Sequence, residues 1–257
     1  MQKSKKIDLI IMLIYPIFAV LISHFLKINF FWSTIVFFGL PSLYLTIKVP
    51  KFSKRVIFFS LVFIPLAMIT DYIAQSTGQW LVMDSTLPRI LFYVSLENIL
   101  WTFFYFYFVL MFYEYFLHHH FTRLPWHPKL KFFLLLTLFA FCLFLVLHGF
   151  SPVPPDVSYF YLWFGTILIL IPILLQLFNH PKFISRFFET AAYFFYLTLT
   201  YEITALQLGW WYFPSDQFVG WITIRDVRFP LEEFVFWIML CAMAVLTYYE
   251  FFDDGEK

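Results

Sequence analysis

The sequence predicts an all-α polytopic membrane protein of about eight transmembrane helices, arranged as two tandem parallel four-helix repeats. Three observations carry that prediction: an extreme apolar composition, a series of apolar runs with charge on one side, and paired motifs in the two halves. Hydrophobic residues make up 62% of the 257 and charged residues only 13%, against about 45–50% and about 25% in soluble domains. Mean hydropathy is +0.79. A chain this apolar must turn much of its surface to lipid. The net charge of +1 leaves no basic surplus, so no nucleic-acid partner is expected.

Eight segments reach the roughly 20 apolar residues that a span needs. They cover approximately 7–26, 30–49, 56–73, 90–117, 129–150, 158–179, 187–208 and 229–252. Lys3, Lys5 and Lys6 ahead of the first run resemble a signal peptide. No small-residue cleavage site follows, so the run is read as a retained first helix. With a cytoplasmic N-terminus, 13 of the 17 Lys and Arg residues fall on the cytoplasmic side. Only Lys27, Arg89, Arg225 and Arg228 fall outside. That asymmetry is what the positive-inside rule demands. It places both termini in the cytoplasm and the chain in a plasma (inner) membrane.

The duplication rests on motifs in matching order. Asp71 is followed by Gly78 and Trp80, and Glu202 by Gly209 and Trp211. The next helices open on Ser95-Leu96-Glu97-Asn98 and Pro230-Leu231-Glu232-Glu233, and they end on Tyr113-Glu114 and Tyr249-Glu250. Four helices per copy make the copies parallel, related by an axis along the membrane normal. The repeats are expected to span 1–120 and 121–257, divided in the polar stretch from His118 to Pro128.

A carboxylate at membrane depth costs roughly 2.5–3.5 kcal/mol or more near a helix centre, which makes Glu97, Glu232, Glu233, Asp71 and Glu202 the candidate acid–base residues. Glu97 is expected about seven residues into its helix, roughly 10 Å deep at 1.5 Å per residue. Residues four apart share a helix face, so Glu97 is expected beside Trp101, Glu232 beside Phe236 and Glu233 beside Trp237. With Trp80 and Trp211 these rings form the candidate substrate-binding set. The bland reading pairs the acids with Arg89, Arg225 or Arg228, or makes them interhelical glue, and takes the tryptophans as interfacial anchors. Glu114 and Glu250, at the cytoplasmic ends, are expected to be solvated.

Acids among aromatic rings suit one chemistry well. A neutral carboxyl donates a proton to an alkene, ring faces stabilise the cation, and a carboxylate removes a different proton. No cofactor is required. Pro230-Leu231-Glu232-Glu233-Phe234 with the upstream Gly-x-Trp resembles the duplicated integral-membrane lycopene cyclases, in their fused form. The resemblance implies redox-neutral cyclisation of the end group of a linear, lycopene-like polyene taken from the bilayer, with the motif glutamates as acid and base. In this sequence the first half lacks the proline and the second acid of that motif, and Glu202 replaces the aspartate of the second half.

Other classes fit less of the sequence. Isoprenoid transferases need Asp-rich motifs in a span, and only Asp253-Asp254 in the tail offers adjacent aspartates. His118, His119, His120 and His127 read as a cationic loop, so no metal is expected. Cys142 and Cys241 lie in apolar runs and read as packing. The alternative function is a transporter or lipid- or isoprenoid-binding protein that uses the paired acids for proton or cation coupling. Transport favours matched helix breaks, and only Pro41 and Pro172 loosely match.

Overall fold

In hydrocarbon a backbone can satisfy its own polar groups only within a helix or a closed barrel, and these apolar runs become helices. The protein is described here from a computed structural model covering residues 3–117, 128–150 and 157–252. Among them the long helices run, in order, α1 (Lys3–Leu26), α2 (Phe30–Lys48), α3 (Pro50–Ser76), α4 (Leu96–Phe116), α5 (Pro128–Phe150), α6 (Phe160–Asn179), α7 (Ile184–Leu208) and α8 (Glu233–Phe251). Seven are long and apolar enough to cross a membrane. The exception is α7, which has the length but carries Glu189, Glu202 and several Thr and Tyr residues that lower its hydropathy. The expected division point and its histidines, from His118 to His127, lie outside the described residues, as does Asp253-Asp254.

Several boundaries differ from the sequence reading, and three of them have a local cause. The third helix runs from Pro50 rather than 56, with an irregular turn at Phe63 where Pro65 cannot donate to the preceding turn. The fourth begins at Leu96 rather than 90. Residues 89–95 instead form a hairpin of β2 (Arg89–Ile90) and β3 (Val94–Ser95), after β1 (Leu81–Val82). The strands are joined by the three residues Leu91, Phe92 and Tyr93, of which Leu91 and Phe92 have positive φ. Glu97 therefore sits in the first helical turn, and its expected depth of seven residues is wrong. The eighth helix begins at Glu233 because Phe229 and Pro230 belong to β6 (Val227–Pro230), which pairs with β5 (Trp221–Ile224).

The helices α3 and α7 end alike. Gly78 (φ 70°) and Gly209 (φ 73°) adopt the left-handed conformation that closes a helix. The bonds around them match as well: Gln79 and Trp210 donate to the carbonyls of Ala74 and Ala205, at 2.8 and 2.9 Å. The segments that follow meet each other, β1 pairing with β4 (Trp211–Tyr212). We call this end of the bundle the glycine end. At the opposite, proline end, Val49-Pro50 and His180-Pro181 make matching elbows. Each of these features recurs 131 positions later, as do the widened π-helical turns Ile35–Gly39 and Thr166–Leu170. Pro41 and Pro172 follow those turns, and the chain stays helical through both.

The interior belongs to α4 and α8. Every residue of α4 from Tyr107 to Phe116 is buried, and so is every residue of α8 from Cys241 to Thr247. The outermost helices are α1 and α5, whose apolar side chains face outward; Phe132 and Phe139 of α5 are 70% and 65% exposed. Such faces suit lipid. Glu114 and Glu250 are not solvated as expected but buried, each taking a hydrogen bond from the tyrosine of the other helix: Tyr249 to Glu114 and Tyr113 to Glu250. Asp8 is buried too. It accepts from Tyr44 (2.5 Å), Lys48 (3.0 Å) and Tyr115, tying α1 to α2 and α4.

One contact leaves no room for a side chain. A Cβ at Gly165 would lie 2.0 Å from Phe236, so α6 and α8 touch there through glycine. Overpacking of this kind costs about 1–3 kcal/mol. Gly165→Ala is expected to lower the thermal unfolding midpoint in detergent, and adding Phe236→Ala should recover part of that loss, read as a coupling between the two substitutions.

Candidate functional site

A largely apolar cavity lies within the bundle below the glycine end. Its walls come from both halves: α3 and α4 on one side, α7 and α8 on the other, with Phe30 of α2 and Tyr161 and Phe164 of α6 closing the flanks. Three carboxyl groups line it, Asp71, Glu202 and Glu233. Four of the candidate rings line it with them: Trp80, Trp101, Trp211 and Trp237.

The acid-x6-Gly-x-Trp spacing explains two of these acids. The left-handed glycine turns the chain back so that the tryptophan indole reaches the acid nine residues earlier. Trp80 Nε1 donates to Asp71 at 3.2 Å, and Trp211 Nε1 donates to Glu202 at 3.0 Å. These tryptophans are hydrogen-bond partners of the acids as well as ring walls.

From there the two sides diverge. Asp71 collects three further donors: Gln75 Nε2 (2.8 Å), Asn98 Nδ2 (2.7 Å) and the Ser95 backbone N–H (3.2 Å). Four donors hold the Asp71 carboxyl in one orientation. Glu202 has no asparagine facing it. The matching place on α8 is held by Glu233, whose carboxyl lies close enough to Glu202 to interact electrostatically and has the Tyr161 hydroxyl beside it. One wall therefore presents a satisfied carboxylate, the other a pair of carboxyl groups.

The remaining two candidate acids turn away from the cavity. Glu97 accepts from the backbone N–H groups of Thr86 and Leu87, both at 2.6 Å, and from Ser85 Oγ at 2.9 Å. Glu232 accepts from the Val219 N–H at 2.6 Å, and its Oε2 has no partner among the described residues. Both brace the loops that precede their helices. The arginines do not pair with these acids directly. Arg89 Nη1 bonds Gln75 (2.9 Å), which relays to Asp71, while Arg228 lies 4.2 Å over the Trp221 ring.

The aromatic pairing also changes. Glu97 and Glu232 are 135 positions apart, but Tyr113 and Tyr249 are 136 apart. The extra residue is absorbed by the π-helical run Glu233–Leu240 that opens α8, as such insertions usually are. In consequence Trp237 faces Trp101 across the cavity, with ring centroids 6.4 Å apart, whereas Phe236 packs on Gly165 outside it. Trp237 also stacks on Phe164 at 5.7 Å, and Trp80 meets Tyr161 edge-on at 5.1 Å. The sequence reading missed Asn98, Tyr161 and Phe164 as cavity residues. Asn98 stood next to a motif glutamate and was the visible clue.

Removing the loop brace should be costly without touching the cavity. Glu97→Ala removes the shared acceptor of the N–H groups of exposed Thr86 and half-buried Leu87, a loss of about 1–3 kcal/mol. Amide exchange at Thr86 and Leu87 is expected to accelerate at least tenfold, while Glu97→Gln, which keeps a carbonyl acceptor, should show a smaller change. No protein-family model, curated protein or solved structure matches this chain, so its function is argued from this cavity.

Proposed function

We propose that the chain isomerises a hydrophobic polyene by proton addition and removal, cyclising the end group of a linear, lycopene-like carotenoid drawn from the bilayer. The observation that carries the reading is a single cavity in which a satisfied carboxylate faces a carboxyl pair across aromatic walls. Two carboxyl groups side by side in apolar surroundings share a proton rather than both ionise, and the pair Glu202 and Glu233 is the acid. A proton passes from the pair to a terminal alkene carbon. The cation so formed is attacked by a neighbouring double bond, closing a ring and moving the charge onto a ring carbon. The faces of Trp80, Trp101, Trp211 and Trp237 stabilise that charge by cation–π attraction. Asp71, held in place by four donors, is the base that takes the adjacent proton, and the last double bond forms. One proton enters and one leaves, so the product is an isomer of the substrate and no oxidant is consumed. Exchange of the gained proton back to Glu202 and Glu233 resets the site.

The resemblance of Pro230-Leu231-Glu232-Glu233-Phe234 and the paired Gly-x-Trp motifs to the fused membrane lycopene cyclases supports the same reading. So does the recurrence of turns, elbows and π-helical segments at 131 positions, which we interpret as two tandem four-helix repeats about an axis along the membrane normal. In that interpretation α7 is the eighth span, both termini are cytoplasmic, and the glycine end faces outward across a plasma membrane. Glu97 and Glu232 then act as loop braces, and the acid–base work falls to Glu233, Glu202 and Asp71.

Expression in a host that accumulates lycopene, followed by pigment chromatography, tests the reading. A cyclised isomer is the expected product, and its complete absence overturns the proposal. Glu233→Gln, Glu202→Gln and Asp71→Asn should each lower product by about a hundredfold or more, the usual loss of a general acid or base. Glu232→Gln should retain most of it.

A further inference from the structure

A cavity deep in a helical bundle needs a way in, and the two seams that flank this one are unequal. At the glycine end they close alike: Trp211 meets Phe30 at 5.2 Å between α7 and α2, and Trp80 meets Tyr161 at 5.1 Å between α3 and α6. Deeper in, the α2–α7 seam is plugged by Tyr201. Its ring lies 4.9 Å from Phe37 and 4.8 Å from Phe38, and its hydroxyl is 3.3 Å from Ser33 Oγ. At the matching place on α3 stands Thr70, and the place of Thr198 is held by Ala67. The burial follows the side chains. Ser33, Phe37 and Leu197 are fully buried, whereas their matches 131 positions away, Phe164, Leu168 and Leu66, are only half-buried.

We propose that the cavity opens sideways into the bilayer through the seam between α3 and α6, and that this opening admits a linear hydrocarbon chain end-first. Leu66, Ala67 and Thr70 form one lip and Phe164 and Leu168 the other, all apolar except a threonine whose hydroxyl is turned back to the Leu66 carbonyl at 2.9 Å. An aqueous route is a poor match for such lips. Four of these residues, Leu66, Ala67, Thr70 and Phe164, also line the cavity, so the lip is continuous with the site. The cavity is far smaller than a long polyene, so one end enters and the rest of the chain remains outside. The opening leads directly to Asp71, one turn beyond Ala67 on α3, so the carboxylate is the first acid that an arriving end group meets. The identity of the chain as a polyene rests on the proposed function; the opening itself does not.

The test uses the full-length protein in phosphatidylcholine vesicles that contain a phosphatidylcholine with a diazirine midway along its acyl chain. After irradiation, adducts are mapped by mass spectrometry. Adducts on Leu66, Ala67, Phe164 or Leu168 are expected to exceed those on the matching Leu197, Thr198, Ser33 and Phe37 several-fold. Equal labelling of the two seams, or none at either, overturns the opening. Ala67→Trp should bring labelling of Phe164 down to the level of Ser33, while labelling of Phe132 and Phe139 on α5 stays unchanged and reports an intact fold. Added lycopene should displace the lipid adducts at Ala67 several-fold. If it does not, while the seams still differ, the opening stands and the polyene occupant is overturned, whatever the pigment assay gives.

Discussion

The site depends on the need to satisfy carboxyl groups placed where water cannot reach them. In a bundle this apolar, each buried acid must find donors within the protein or forfeit several kcal/mol. The hydrogen bonds from Trp80 to Asp71 and from Trp211 to Glu202 answer that need with one device used twice. The device in turn dictates the architecture at the glycine end. An indole can return to an acid nine residues earlier only if the helix stops sharply, so Gly78 and Gly209 take up positive φ. The strands that follow then pair across the bundle, which fixes the tryptophans as a common ceiling over one cavity.

Function enters where the device is used unequally. Asn98 completes the shell of Asp71, while Glu233 at the matching place leaves Glu202 beside another acid. Gln75 and Asn98 give Asp71 donors that Leu206 and Glu233, at the matching places, do not give Glu202, so a fully bonded carboxyl faces a pair of acids. The walls are unequal too: Tyr201 packs against Phe37 and Phe38 in one seam, and in the other the smaller Thr70 stands at its place. The asymmetries of charge and of packing fall on the same cavity, which gives it both a chemical and a spatial direction.

Much of the framework was legible in the sequence because hydropathy and charge act over whole segments. The apolar runs located the helices, and the acid-x6-Gly-x-Trp spacing marked two of the cavity acids. What failed was local. A hairpin replaced the first turns assigned to α4, because two residues with positive φ at Leu91 and Phe92 carry no glycine to announce them. Glu97 and Glu232 looked like intramembrane acids by position, yet their oxygens bond loop amides, and a linear reading cannot foresee which loop folds back. The assignment of Phe236 to the site followed from an ordinary helical repeat of 3.6 residues per turn. The π-helical run broke that repeat and turned Phe236 out of the cavity, while Trp237, also expected there, lines it. Glu114 and Glu250, expected to be solvated because they lie at helix ends, are buried because each finds a tyrosine on the other half.

That last exchange has a consequence for assembly. Because Tyr113 serves Glu250 and Tyr249 serves Glu114, each half of the chain carries a lock whose key is on the other. Neither half alone retains these bonds, and each would expose a buried acid to lipid in the attempt. The recognition is reciprocal and therefore independent of the peptide linkage between α4 and α5. Two separately made halves would select each other over copies of themselves only as far as side chains beyond this crosswise pair differ, since Tyr-Glu is common to both. Fusion into one chain removes that ambiguity by fixing the stoichiometry at one to one, and it holds the unequal walls of the cavity opposite each other.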